Sequence, residues 1–438
     1  MEFSKHNIFS KIKGSDNYYL INLLSGQADI LEPDEAHRYI NQTIINTQDY
    51  VEKGYLVDRA EEEKQFKTKY LNFIDEREKD ELQLFFVPWY TCNFNCSYCF
   101  QDEYTNANDK VEQDVIDAFF SYIDSQFANR RKYITLFGGE PLLNSPAKKE
   151  TISNIITEAN RRELGIALVT NGYHIVDYID ILKTARIREI QITMDGTQEI
   201  HDARRKLKGG KGSFKEISEG VDLLLKNNIP VNLRMVVDKD NIDNLPDLAR
   251  YAIKQGWTKS PYFKTALGRN YELHHCQNNN KRLFSRIEMY EQVSELVKAY
   301  PEILEFHKPA FSIAKFIFEN GELPNPLFDS CSGAKTEWAF DYSGHIYACT
   351  ATVGNAGDDL GTFYPQIELK EDLIEEWQDR DVLAIKDCHN CAVQLACGGG
   401  CAAIAKNRTG NLHAPDCKPI KELLELGIEV YNETVEKA

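Results

Sequence analysis

Cys92, Cys96 and Cys99 stand at spacings of four and three in CNFNCSYCF, and no fourth ligand follows them. A tetrahedral zinc site needs one more thiolate, imidazole or carboxylate close by. No histidine lies between His37 and His174, and the next cysteine is Cys276. A four-iron cluster takes one ligand per iron, so three thiolates leave one iron open to bind a molecule.

A second set follows residue 330: Cys331, Cys349, then Cys388-x2-Cys391-x5-Cys397-x3-Cys401, then Cys417. Taken alone, the Cx2C pair with two further cysteines fits a zinc ribbon, with His389 and His413 as spare ligands. Read as clusters, these seven thiolates divide as four plus three. Cys276, in HHCQ, is a missing ligand, a redox or catalytic thiol, or an inert buried cysteine.

The elements that must carry these residues show in the periodicity. LQLFFVPWY, KYITLFGGE, GIALVTNG, EIQITMDG, PVNLRMVVDKDN and KSPYFKTALGR read as strands. VEQDVIDAFFSYIDSQFA, KKETISNIITEANRRE, IVDYIDILKTA, FKEISEGVDLLLKNN and LPDLARYAIKQG read as the helices between them. Repeated βα units predict a parallel sheet or barrel. Each strand ends in a distinctive tip: the three cysteines, GGEP, TNG, MDG, DKDN and GR. One such tip is ordinary turn chemistry, but six on one rim define an active face, because functional side chains collect at the C-terminal ends of such strands.

Before the barrel, NIFSKI and NYYLINLL read as strands about the turn KGSD, ADIL as a third, EPDEAHRYIN as a helix, and YVEKGYLVD as a further helix and strand. This small unit is either a plain extension packed on the core or a peptide-binding module. After the barrel, KRLFSRIEMYEQVSELVKAY reads as helix and LPNPLF as a linker.

The chain of 438 residues has 51 Lys plus Arg against 68 Asp plus Glu, a net charge of −17 that argues against nucleic-acid binding. No secretory signal opens it and no apolar run reaches a membrane span, so no membrane association and a cytoplasmic location are expected. There the cysteines are expected as metal ligands rather than disulfides.

Together these residues resemble the radical S-adenosylmethionine (SAM) enzymes, whose hallmark CxxxCx(aromatic)C is matched by Cys92, Cys96, Tyr98 and Cys99, followed by Phe100. The resemblance implies that the three cysteines are the catalytic cluster ligands and that SAM's amino and carboxylate groups fill the open iron. Gly138, Gly139 and Glu140 look like the family's GGE, whose backbone and acceptor-only carboxylate receive the methionine ammonium. TMDGTQEIHDARR is similar to DGxxxxHDxxR, which sets Arg205 against the SAM carboxylate. Asn171, Thr193 and Asp195 fall on tips that approach ribose and methionine in the family.

The C-terminal spacing looks like the SPASM extension. That resemblance assigns Cys388, Cys391, Cys397 and Cys417 to one auxiliary [4Fe-4S] cluster and Cys331, Cys349 and Cys401 to another, three clusters in all with the first. The implied fold is α/β: a partial (β/α)6 radical SAM barrel over 81–280, an N-terminal β-plus-helix module over 1–80, a helical bridge over 281–325 and a cysteine-rich SPASM domain over 326–438.

The implied function is reductive cleavage of SAM to a 5′-deoxyadenosyl radical that takes hydrogen from a ribosomally made precursor peptide, forming a thioether or carbon crosslink. The implied partners are that peptide, its leader paired to the N-terminal module by strand addition, and an electron donor such as flavodoxin or ferredoxin. Two alternatives stand. Anaerobic sulfatase-maturating enzymes place an aspartate base after the second auxiliary cysteine, where this chain has Thr350. A non-catalytic iron-sulfur electron-transfer protein, or a zinc-bound interaction protein, leaves GGE and DGxxxxHDxxR unexplained.

Overall fold

The computed structural model describes residues 1–99, 101, 111–270 and 281–436. Phe100 and Cys276 lie outside the described residues.

At the N-terminus, β1 (Glu2–Phe3) precedes β2 (Asn7–Lys11), β3 (Tyr18–Asn22) and β4 (Gln27–Leu31), and the last three form an antiparallel sheet. Helices α1 (Pro33–Ile40) and α2 (Thr47–Glu52) follow, and β5 (Leu56–Val57) returns to pair with β1. The next element, α3 (Arg59–Arg77), begins at Asp58, whose carboxylate accepts from the Ala60 and Glu61 amides. Sequence periodicity does not announce this helix, because its apolar stripe is only one residue wide: Phe66, Tyr70 and Phe73, spaced four and three apart. All three rings meet the fully buried Phe328, with centroids 5.1, 5.5 and 5.6 Å away. The Tyr70 hydroxyl also donates to Asp381 at 2.7 Å. The N-terminal module therefore shares its core with the C-terminal region.

The central elements are β6 (Leu82–Val87), β7 (Phe94–Cys96), α4 (Gln113–Gln126), β8 (Lys132–Leu136), α5 (Pro146–Arg161), β9 (Gly165–Thr170) and α6 (Ile175–Leu182). They continue through β10 (Ile187–Thr193), α7 (Gln198–Arg204), β11 (Arg205–Leu207), α8 (Phe214–Lys226), β12 (Val231–Val237), α9 (Leu245–Lys254) and β13 (Phe263–Arg269). Six strands lie parallel in the order β13-β12-β10-β9-β8-β6, so the chain is α/β with its expected βα units.

Helices α10 (Arg286–Ala299), α11 (Ile303–Phe306) and α12 (Ala314–Asn320) bridge to the C-terminal region, the first opened by a capping box of Ser285 and Glu288. There β14 (Glu337–Asp341) adds to β6 in parallel, and β15 (His345–Tyr347), β16 (Asp359–Thr362) and β17 (Glu368–Leu369) extend it antiparallel into one ten-stranded sheet. The cysteine-rich region is thus hydrogen-bonded to the barrel edge, a continuity its short, irregular strands do not announce in the sequence. Helices α13 (Glu371–Gln378), α14 (Gln394–Cys397), α15 (Ala402–Thr409) and α16 (Ile420–Glu436) complete the fold, and α16 packs on α10, α12 and β2.

Candidate active site

The cysteine loop follows β6 and is held first by the glycines after β8. A Cβ on Gly139 would run into the Thr91 carbonyl oxygen, and one on Gly138, at φ +103°, into the Val87 side chain. The close approach lets the Glu140 amide donate to the Thr91 carbonyl at 2.9 Å, while the Trp89 indole donates to the Glu140 carbonyl at 2.6 Å. The buried Glu140 carboxylate accepts from the amides of Leu142 and Asn171, at 2.8 and 2.6 Å, and from the Thr170 hydroxyl at 2.6 Å. Burial keeps its carboxyl above the ordinary value, although these donors pull it down. The Glu140 side chain therefore ties the β8 tip to the β9 tip and stands outside the cavity wall, where the resemblance sets it toward SAM.

A second clamp comes from the tip of β10. Strand β11 pairs antiparallel with β7, setting Arg205 opposite Cys96, and the Ser97 amide donates to the Arg204 carbonyl at 3.1 Å. The Tyr98 hydroxyl donates to Asp195 at 2.6 Å and accepts from Arg205 at 2.6 Å. Asp195 is wholly buried and also accepts from the Val236 amide at 3.0 Å and from Arg204 at 3.3 Å. It anchors the wall instead of lining it. Arg204 forks onto Asp238 at 2.8 and 3.1 Å, and Asn270 and Arg282 reach the same carboxylate at 3.0 and 3.2 Å. Burial opposes the charge of Asp238, but the Arg204 hydrogen bond and charge hold its carboxyl below the ordinary value. Sequence reasoning missed Arg204 and Asp238; the signals were the first arginine of the HDARR stretch and the DKDN tip.

His201 sits beneath this clamp. The Asp195 amide donates to Nδ1 at 3.2 Å, and Nε2 lies 3.1 Å from the Ser213 hydroxyl, which itself donates to the Arg205 carbonyl at 2.6 Å. That network assigns the proton to Nε2. Burial, then the charges of Arg205 and Arg204, hold the imidazole well below its ordinary value, so it is neutral.

The clamps enclose a cavity of about 370 Å³ at the C-terminal ends of the strands. Cys92, Cys96, Cys99 and Tyr98 form one wall; Gly138, Gly139, Asn171, Thr193 and Arg205 continue it, and Thr350 closes it from the C-terminal region. Burial beside Glu140 pushes the Cys92 thiol up to about 12, so metal binding there must expel a proton. Two buried donors at this wall have no partner among the described residues, Arg205 Nε and Gln101 Nε2. The wall is short of acceptors, a deficit that SAM's carboxylate and hydroxyls fit. Arg234, unremarked in the sequence, also faces the cavity, its guanidinium lying over Gly268.

The remaining described cysteines fall into two electrostatically interacting sets. Cys388 and Cys417 each feel Cys391 and Cys397, as well as one another in the case of Cys388. Cys349 feels Cys331 and Cys401. Between Cys397 and Cys401, Gly398, Gly399 and Gly400 all take positive φ, and a Cβ on Gly400 would strike the Asp416 carbonyl. Among the described residues no three His, Cys, Asp or Glu side chains are set to hold a single metal ion. The all-sulfur donor sets fit iron-sulfur clusters.

Residues 86–252 match the profile of the Radical SAM superfamily. The chain therefore carries a radical SAM domain, the core of an enzyme superfamily, across its barrel. Beyond the barrel, it is similar to the radical SAM cyclopropyl synthase TigE of Paramaledivibacter caminithermalis, 22% identical over 97% of this chain and 92% of that protein. The structure resembles anSMEcpe with bound AdoMet at a TM-score of 0.63 and 18% identity, covering 82% of this chain and 96% of that one. It resembles Streptococcus suis SuiB bound to precursor peptide SuiA at 0.51 and 14% identity, covering 95% and 99%. These neighbours share the fold, and the cysteine-rich C-terminal region is consistent with a SPASM extension.

The neutral His201 makes stability depend on pH. An unfolded histidine takes a proton as pH falls through 6.5, whereas buried His201 does not, so the unfolded state binds more protons and stability drops below that point. Between about pH 7 and pH 5 this costs about 1–2 kcal/mol. Denaturant titrations of His201→Gln should show a flatter decline over that interval than wild type, with His6 and His307, each lowered to about 4, keeping some slope. Parallel declines would show that His201 titrates in the fold.

Proposed function

We propose that this chain is a radical SAM peptide maturase, with SAM held at the Cys92/Cys96/Cys99 wall and a ribosomally made precursor peptide entering the open barrel. The observation that carries the reading is the shared cavity: the barrel cysteines and Thr350, the residue after Cys349, line the same space. When bound, SAM and its cluster supply a 5′-deoxyadenosyl radical that takes hydrogen from a C–H bond, and auxiliary clusters supply an acceptor for the electron the substrate must lose.

The chain's own residues position these groups. Tyr98 fixes one guanidinium nitrogen of Arg205 and leaves Nε for a carboxylate. Asn171 and Thr193 offer polar contacts on the adjoining wall. The buried strands behind them exclude water. Thr350 carries no carboxyl group, so the base of the sulfatase-maturating reaction is missing at that position; a thioether or carbon crosslink is the product class we favour. A flavodoxin- or ferredoxin-type donor supplies the electron for SAM cleavage. Among the described residues no helix is long and apolar enough to cross a membrane.

The protein, reconstituted anaerobically with iron and sulfide, should release 5′-deoxyadenosine from SAM under a strong reductant. The triple Cys92→Ala, Cys96→Ala, Cys99→Ala variant should release none. Failure of the iron-loaded wild type to bind SAM would discard the reading.

Leader recognition is placed at the N-terminal sheet. Strand β4 is an edge on which Ile30 is 61% exposed, and an unpaired edge accepts a strand. Because Tyr19 and Ser10 bond to α16, the module is best tested in place. Ile30→Glu should weaken binding of a fluorescent leader from a precursor encoded beside the gene at least tenfold while sparing SAM cleavage; equal binding would remove β4 from the account.

A further inference from the structure

Arg380 is 0% exposed and donates only to main-chain carbonyls. Its Nε bonds Leu412 at 2.6 Å, and its two terminal nitrogens bond Gly400 at 3.1 Å and Gly399 and Ala414 at 3.0 Å each. No described carboxylate pairs with it. Nearby acids are committed elsewhere: Asp381 accepts from the Leu383 and Ala384 amides and from Tyr70, while Asp416 faces Arg408 and Arg286. A guanidinium buried among neutral dipoles alone is costly, and such cations are retained where an anion answers them.

The four carbonyls lie in the segments that carry Cys397, Cys401 and Cys417. Gly399 and Gly400 reach the guanidinium from left-handed conformations, φ +75° and +74°, that few other residues adopt. Cys388 and Cys391 follow Arg380 by eight and eleven residues, and the Cys391 amide donates to the Cys388 carbonyl at 3.0 Å. A four-iron cluster ligated by four thiolates bears net negative charge that grows on reduction.

We propose that Arg380 is the buried counter-charge of the auxiliary cluster held by Cys388, Cys391, Cys397 and Cys417, pinning its ligand loops and raising its reduction potential. This rests on the reading that these cysteines hold such a cluster. Each ligand thiolate makes the pocket more negative, and a cation fixed in a low-dielectric interior favours the reduced cluster over the oxidised one. Arg380 is thus a positioning and potential-setting residue, and it does not line the cavity at the barrel cysteines.

The test uses the full chain, reconstituted anaerobically, with Cys92, Cys96 and Cys99 changed to Ala so that only the auxiliary clusters remain. Iron content and an EPR-monitored redox titration are compared for Arg380→Lys and Arg380→Gln. Lys, keeping the charge, should retain the iron and both potentials of the parent. Gln should either lose about four irons or shift one auxiliary couple at least tenfold toward the oxidised form at fixed poise, about 59 mV for one electron. Parent-like iron and potentials in Arg380→Gln would overturn the proposal. So would a Lys variant as impaired as Gln, which would make the fork, not the charge, the requirement. If the parent binds no iron at these cysteines, the cluster assignment itself fails.

Discussion

The Glu140 carboxylate, closed off from solvent and accepting three hydrogen bonds, is the constraint on which the active face depends. Its own loop can approach the cysteine loop only because Gly138 and Gly139 lack side chains. From there it joins the second barrel tip to the third, so that Asn171 is delivered to the cavity wall with its amide already committed. A neutral glutamine in its place would offer one acceptor where the fold uses two carboxylate oxygens. The cysteine loop is thereby positioned by its neighbours' backbones before any iron arrives.

Asp195 and Asp238 perform a parallel task on the opposite side of the loop. Arg204 bridges them, Tyr98 hangs from Asp195, and Arg282 joins Asp238 to Ser97. Buried charges in this cluster are answered by opposite charges and by main-chain donors, which makes the arrangement costly to break and stiff. Both clamps converge on the loop that carries Cys92, Cys96 and Cys99.

Much of the barrel was legible beforehand because parallel strands leave a strong signature: short apolar runs that end in glycine, asparagine or aspartate and alternate with amphipathic helices. Five of the six observed strands fall within the expected segments, and β10 begins two residues ahead of its own, at Ile187. Site residues were legible as types at strand ends. Their division of labour was not: the carboxylates of Glu140 and Asp195 brace neighbouring strand tips, which a residue type at a strand end does not announce. Side-chain direction beyond a strand end depends on which neighbour offers donors, and that is a tertiary property. Helix α3 escaped notice because Phe66, Tyr70 and Phe73 make a stripe too narrow to read, and β14 to β17 because strands of two to five residues carry little periodicity. Arg380 was invisible for a related reason, since nothing in sequence separates a buried arginine from a solvated one.

The most direct test of the account is the number of irons each cysteine set holds. Iron and sulfide should be measured on anaerobically reconstituted wild type and on three variants, each with one set changed to alanine: Cys92/Cys96/Cys99, Cys331/Cys349/Cys401 and Cys388/Cys391/Cys397/Cys417. The account predicts about twelve irons and twelve sulfides per chain in the wild type and a loss of about four of each in every variant. Stoichiometric zinc in place of iron, or variants that retain the wild-type complement, would contradict it.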